Sequence, residues 1–271
     1  VAADQTSSAT VRLAAVGTDG GAPSATADVR VAIGGEPVHL QMTVPTGPAP
    51  IRHLLPVFQG IADVVVGVGE RKAIQAGQAI SCRAGCGACC RQVVPISPSE
   101  ARALARLVAA LPEPRRSEVR ARFATALERL RAAGVIEPLL AREAAEGETL
   151  RPIGLAYFRE GVPCPFLEDE SCSIHRERPL ACREYLVTSP AAACSHPTPD
   201  SVHCVPIPAR AAAALRRVDR DAAPDEAEWV PLIMALEYAA GHANEPALRP
   251  GTALLTDFFA RLRGELPTPR R

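Results

Sequence analysis

The sequence predicts an α+β protein, mainly α-helical, with a small N-terminal antiparallel β-meander and a loop-rich cysteine region. Three observations carry that reading. Short β-branched runs separated by glycines come first, apolar residues then recur at three- and four-residue spacing, and nine cysteines gather into 82–90 and 164–204. The first pattern is that of hairpin strands and the second that of amphipathic helices.

The predicted strands are 10–16 (TVRLAAV), 28–33 (DVRVAI) and 37–44 (PVHLQMTV). TDGGAPSATA separates the first two, and Gly34-Gly35 marks a two-residue hairpin turn between the last two. From Pro50 onward Leu54, Leu55, Phe58, Ile61, Val65 and Val68 follow helical spacing. Residues 97–100 (SPSE) form a capping box with Ser97 at N-cap, Pro98 at N1 and Glu100 at N3, so a helix should run to Leu111. Pro112 and Pro114 end it, and a second helix reaches Gly134. Shorter helices are expected at 136–145 and 152–160, and three more at 207–220, 227–241 and 252–263. The whole chain, 1–271, is expected to form one domain. Within it lie a β subregion at 1–50, a cysteine-bearing core with a helical insert at 51–206, and C-terminal helices at 207–271. The insert makes sense if it brings the two cysteine regions together.

Apolar residues make up 47% of the chain and charged residues 22%, an ordinary globular balance. Lys plus Arg and Asp plus Glu stand at 30 each, which gives no support to a nucleic-acid partner or a polybasic membrane patch. VAADQTSSAT has neither a basic nor an apolar leader region. The apolar stretch 51–69 is interrupted by Arg52, His53, Gln59 and Asp63, too polar for a span of roughly 20 apolar residues. A soluble, cytoplasmic protein without a membrane partner is therefore expected. No G-x-G-x-x-G, P-loop or H-E-x-x-H occurs, and VGVGE at 66–70 lies in a helical setting with Lys72 in the third glycine position. Glu168, Asp169, Glu170 and Glu184 lie between cysteines, but surface carboxylates are far commoner than catalytic ones, and no catalytic residue is assigned.

SCRAGCGACCRQ at 81–92 holds four cysteines, two of them adjacent. Nine is an odd number and a low density for a disulfide scaffold, and in a reducing compartment thiols this close are more often metal ligands or catalytic groups. Thiolates prefer zinc or iron to hard cations. CGAC at 86–89 also suits a redox pair, which wants a βαβ setting that this sequence lacks. Buried free thiols are the bland alternative; they fit Cys204 but not a loop flanked by Arg83, Gly85, Gly87 and Arg91. The side chains of adjacent Cys89 and Cys90 should diverge and serve two centres, or one ligand and one packing group. Eight thiols suit two four-thiolate zinc sites or one 4Fe–4S cluster with spares. His175, His196 and His203 lie near cysteines and are further ligand candidates. Arg178 and Arg183 flank Cys182, placed either to offset thiolate charge or to make ordinary ion pairs.

SCRAGCGACCRQVVPIS, followed by CPFLEDESCSIHRERPLACREYLVTSP, resembles the YkgJ-type cysteine-cluster family, also called CxxCxxCC. The resemblance covers about 81–194. It implies chelation of zinc or iron through Cys82, Cys86, Cys89, Cys90, Cys164, Cys172, Cys182 and Cys194. This chain departs from the pattern in a first gap of three residues, in His175 where Tyr is frequent, and in Cys204, outside the motif. The resemblance implies a metal ion or cluster as partner, an iron–sulfur cluster (4Fe–4S) or zinc, serving redox, electron transfer or metal handling. Family members are often called iron–sulfur oxidoreductases. Similar clusters occur in lysine N-methylases, so a protein-modifying enzyme with its own protein or substrate partner is one alternative and a zinc-braced interaction module another.

Overall fold

The computed structural model describes residues 10–18, 23–141, 150–198 and 200–265. The architecture is mixed α+β and mainly helical, as predicted. Strands β1 (Thr10–Ala14), β2 (Ser24–Ile33) and β3 (Glu36–Pro45) form the N-terminal sheet. Ile33 faces Glu36 across Gly34 and Gly35, whose φ angles of 57° and 88° are those a two-residue turn of this hand requires. The predicted meander needs correction. The sheet order is β1-β3-β2, and β1 runs parallel to β3, from Thr10 opposite His39 to Ala14 opposite Thr43. β3 has the most apolar inner face, with Val38, Leu40, Met42 and Val44 buried, and the central position covers it on both edges.

β4 (Pro48–Ala49) leads through a 3-10 turn into α1 (Leu55–Gln75), which buries Phe58, Ile61, Val65 and Val68 as the spacing predicts. Ile51–Gln75 is long and apolar enough to cross a membrane, but 56% of its most apolar stretch is buried inside the protein. After the cysteine loop come β5 (Pro95–Ile96) and α2 (Pro98–Ala110), whose capping box is formed as predicted. α3 (Arg115–Ala132) stops at Gly134, φ 67°. α4 (Ile136–Leu140) ends short of the predicted 145; residues 142–145 lie outside the described ones. α5 (Leu150–Arg159) precedes a small hairpin, β6 (Leu167–Glu168) and β7 (Ser171–Cys172), and then α6 (Leu180–Arg183) and α7 (Ala191–Ser195).

α8 (Ala211–Ala222) begins later than predicted, after Pro208. The helix expected over 227–241 also needs correction: β8 (Val230–Pro231) pairs with β5, a 3-10 turn follows, and only α9 (Ala235–Gly241) is α-helical. Proline removes a helix donor and disfavours the helical region for the residue before it, which accounts for both late starts. β9 (Arg249–Pro250) pairs with β4, and α10 (Gly251–Glu265) closes the described chain.

Two apolar clusters form the interior. One joins the sheet to α1, α8 and α10, with Phe58 stacked on Phe258 at 4.2 Å. The other joins α2, α3, α4 and α9, with Phe123 edge-on to Phe166 at 5.4 Å. The second cysteine region belongs to both: Leu180 is buried in the first cluster, Phe166 and Ile174 in the second. Polar ties cross between them, Asp219 of α8 accepting from the Ser99 backbone N–H (2.9 Å) and hydroxyl (2.6 Å) of α2.

Candidate metal centre

The first cysteine loop is built from turns. The Ser81 N–H donates to the Val187 carbonyl (3.0 Å), Cys86 N–H to Arg83 O (3.2 Å), and Cys90 N–H to Gly87 O (2.9 Å) in a 3-10 turn over Ala88–Arg91. Gly87 is required by close approach. A Cβ there would lie 2.7 Å from Leu167 Cδ1 and 3.2 Å from Glu170 Cα, so the loop sits directly on the β6–β7 hairpin. Asp169 and Glu170 turn that hairpin with φ of 48° and 55°. The Cys164 N–H donates to Cys90 O at 2.7 Å and ties the two cysteine regions at the backbone. Glu100 fixes a third piece: besides capping α2 it accepts from the Leu180 N–H (2.8 Å), the first residue of the helix that carries Cys182.

These constraints bring Cys89, Cys90, Cys164, Cys172 and Cys182 to the wall of one cavity of about 480 Å³. Arg178, Arg210, Arg216, Glu184 and Tyr185 share the wall. Cys82, Cys86 and Cys194 lie elsewhere, packed around Ala88 and Val187, with Cys194 buried. Cys204 is exposed and bridges Val187 across a short antiparallel pair. None of His175, His196 and His203 lines the cavity; His175 is exposed, and the Arg178 charge beside it lowers its pKa. Among the described residues, no three His, Cys, Asp or Glu side chains are gathered tightly enough to hold an ion as they stand.

Cys89 and Cys90, expected to diverge, both line the cavity from the 3-10 turn. The interaction between their neighbouring thiols lowers the pKa of Cys89 and raises that of Cys90. Burial pushes Cys164 up to about 12 and Cys182 well above the ordinary thiol range. Burial also raises Cys172, an effect that the Arg178 charge partly offsets. Arg178 and Arg183 divide the two roles considered for them. Arg183 is a clamp: Nη1 holds Asp63 on α1 (2.7 and 2.9 Å), Nε donates to Arg178 O (3.0 Å), and Nη2 donates to Arg176 O. Arg178 lines the cavity with the thiols, and its buried Nε has no hydrogen-bond partner among the described residues.

Three of the four carboxylates weighed from sequence are outside the cavity. Glu168 is held by Arg115 and Arg122, Glu170 by Arg91, and Asp169 turns the hairpin. Glu184 is the exception: it is buried, its Oε1 accepts from the Ala212 N–H at the start of α8 (3.0 Å), and burial raises it to about 7. Arg210, Arg216 and Tyr185 were not singled out from sequence; no local spacing marks them, because α8 reaches the cavity through the tertiary fold.

Soft thiol donors beside an unpartnered guanidinium nitrogen fit a thiolate-bound metal carrying net negative charge. Residues 81–199 match the CxxCxxCC family, whose description reads "Putative zinc- or iron-chelating domain". Comparison with curated proteins and with solved structures gave no match. The stretch that resembles the CxxCxxCC family, 81–199, is thus the one whose two cysteine regions the fold joins at one cavity.

Proposed function

We propose that the thiols around the cavity hold an iron–sulfur cluster in preference to zinc, and that this centre serves electron transfer or metal handling in the cytoplasm. The observation that carries this is the convergence of five cysteines from both regions on one cavity that keeps about 480 Å³ of space. Centres that only brace a fold are closed on all sides, whereas working centres keep an open position. The volume lies in the range of small-molecule sites, which favours a working centre over a zinc-braced surface module. A bound cluster supplies one-electron transfer there.

The chain's own residues prepare that centre. Cys164 and Cys182 are held protonated by burial and release protons when they ligate. Arg178 favours the thiolate form of Cys89 and Cys172. Phe166, Ile174 and Leu232 form an apolar part of the wall that limits water. The same cavity favours a second reading, an enzyme acting on a molecule seated beside the centre, with Glu184 and Tyr185 as ionisable wall groups. Anaerobic purification with elemental analysis and visible absorbance tests the first reading. Iron with acid-labile sulfide and a visible band bleached by dithionite is expected; less than a tenth of an equivalent of iron or zinc refutes it.

A further inference from the structure

We infer that the eight motif cysteines form two metal centres rather than one, divided between Cys89 and Cys90. The inference rests on the reading that these thiols bind metal. The cavity centre takes Cys90, Cys164, Cys172 and Cys182. The second takes Cys82, Cys86, Cys89 and Cys194 and is a closed four-thiolate zinc site.

Four observations support the division. Cys82, Cys86 and Cys194 pack together around Ala88 and Val187, away from the cavity wall. Cys82, Cys86 and Cys89 are separated by three and two residues, the ligand spacing of structural zinc sites. Cys90 is tied to the other region through its carbonyl, which accepts from the Cys164 N–H at 2.7 Å. Cys89 stands between the groups: it lines the cavity, and it belongs to the Ala88–Arg91 turn whose Ala88 is packed among Cys82, Cys86 and Cys194.

The second site also has a structural task. The cluster there buries only Ala88, Val187 and Cys194, and it joins the 81–88 loop, α7 and the 202–204 segment. So small an apolar cluster orders three segments poorly, and a thiolate-bound metal adds folding free energy at such a place. Among the described residues these thiols are not gathered tightly enough to hold an ion as they stand, so metal binding requires them to close up.

Cobalt(II) titration of the full-length apoprotein, read by the thiolate charge-transfer absorbance, tests the division. The parent should saturate at two equivalents. Cys194→Ser and Cys82→Ser should each lose one equivalent and keep the other, Cys172→Ser should lose the complementary one, and Cys204→Ser should keep both. Circular dichroism identifies any variant that fails to fold. Saturation of the parent at one equivalent overturns two centres and leaves the cavity centre standing, as does loss of all cobalt from both Cys194→Ser and Cys172→Ser. Loss of an equivalent from Cys204→Ser overturns the ligand assignment. No binding by the parent overturns the metal reading itself.

Discussion

Gly87→Ala should loosen the joint between the cysteine loop and the β6–β7 hairpin. The backbone at Gly87, φ −92° and ψ 10°, accepts alanine, so the effect is one of space alone. The added Cβ would stand 2.6 Å from Glu170 Oε2, 2.7 Å from Leu167 Cδ1 and 3.2 Å from Glu170 Cα. Ordinary carbon contacts lie near ~3.5–4.0 Å, so Leu167 must move by about 1 Å. Two of the three opposing atoms end flexible side chains and can rotate away; the Cα cannot. Overpacking of this kind costs about 1–3 kcal/mol, and alanine returns about 0.5 kcal/mol by restricting the unfolded chain. Rotation of Glu170 also breaks its fork with Arg91 (2.7 and 3.0 Å), an exposed pair that adds little to stability. The expected net loss is about 1.5 kcal/mol. Because the hairpin carries Cys172, metal should be retained less firmly as well. Urea denaturation of the metal-bound protein, with metal counted before and after chelator challenge, reads both effects. A variant with the parent's midpoint and metal retention would refute the close-approach argument.

Arg178→Gln should leave the urea midpoint nearly unchanged while weakening metal retention roughly 10- to 100-fold, the range for groups just outside a ligand set; equal retention in a chelator competition removes its electrostatic role. Arg183→Ala should do the reverse first, costing about 2–4 kcal/mol through lost bonds to Asp63, Arg176 and Arg178, read by the same denaturation series. Burial raises Asp219 from its ordinary 3.8 to about 6, so the folded state binds its proton more tightly than the unfolded one. Its contribution to stability therefore falls by about 3 kcal/mol as pH rises from about 4 to about 6 and is flat above; Asp219→Asn should flatten that slope, and an unchanged pH profile refutes the assignment. Cys182→Ser should open 164–204 to limited proteolysis while α2, α3, α8 and α10 stay resistant, and a parent-like digestion pattern would show that the centre does not order the segment.

What the sequence made legible was local. The Ser97–Glu100 capping box, the α1 spacing, the Gly34-Gly35 turn and the eight motif cysteines could all be read within windows of a few residues. What it hid depends on partners far along the chain. β1 chooses β3 because of a buried face that only the finished sheet presents, and Val230-Pro231 leaves helical geometry to pair with Pro95-Ile96. Arg178 and Arg183 look alike on either side of Cys182. Only the position of Asp63 on α1 separates the clamp from the cavity residue.

The cavity is walled by α8, from the cluster around the sheet, and by Phe166, Ile174 and Leu232, from the cluster around α2 and α3. A molecule seated there touches both clusters at once and acts as mortar between them. Whatever binds the folded chain and not the unfolded one raises the melting temperature with the logarithm of its concentration over its dissociation constant, by the equivalent of about 2.7 kcal/mol at a hundred times that constant. The position of the cavity therefore makes the whole chain a reporter for its own ligand. A melting screen of small metabolites against the metal-loaded protein can identify that ligand before any reaction has been assayed.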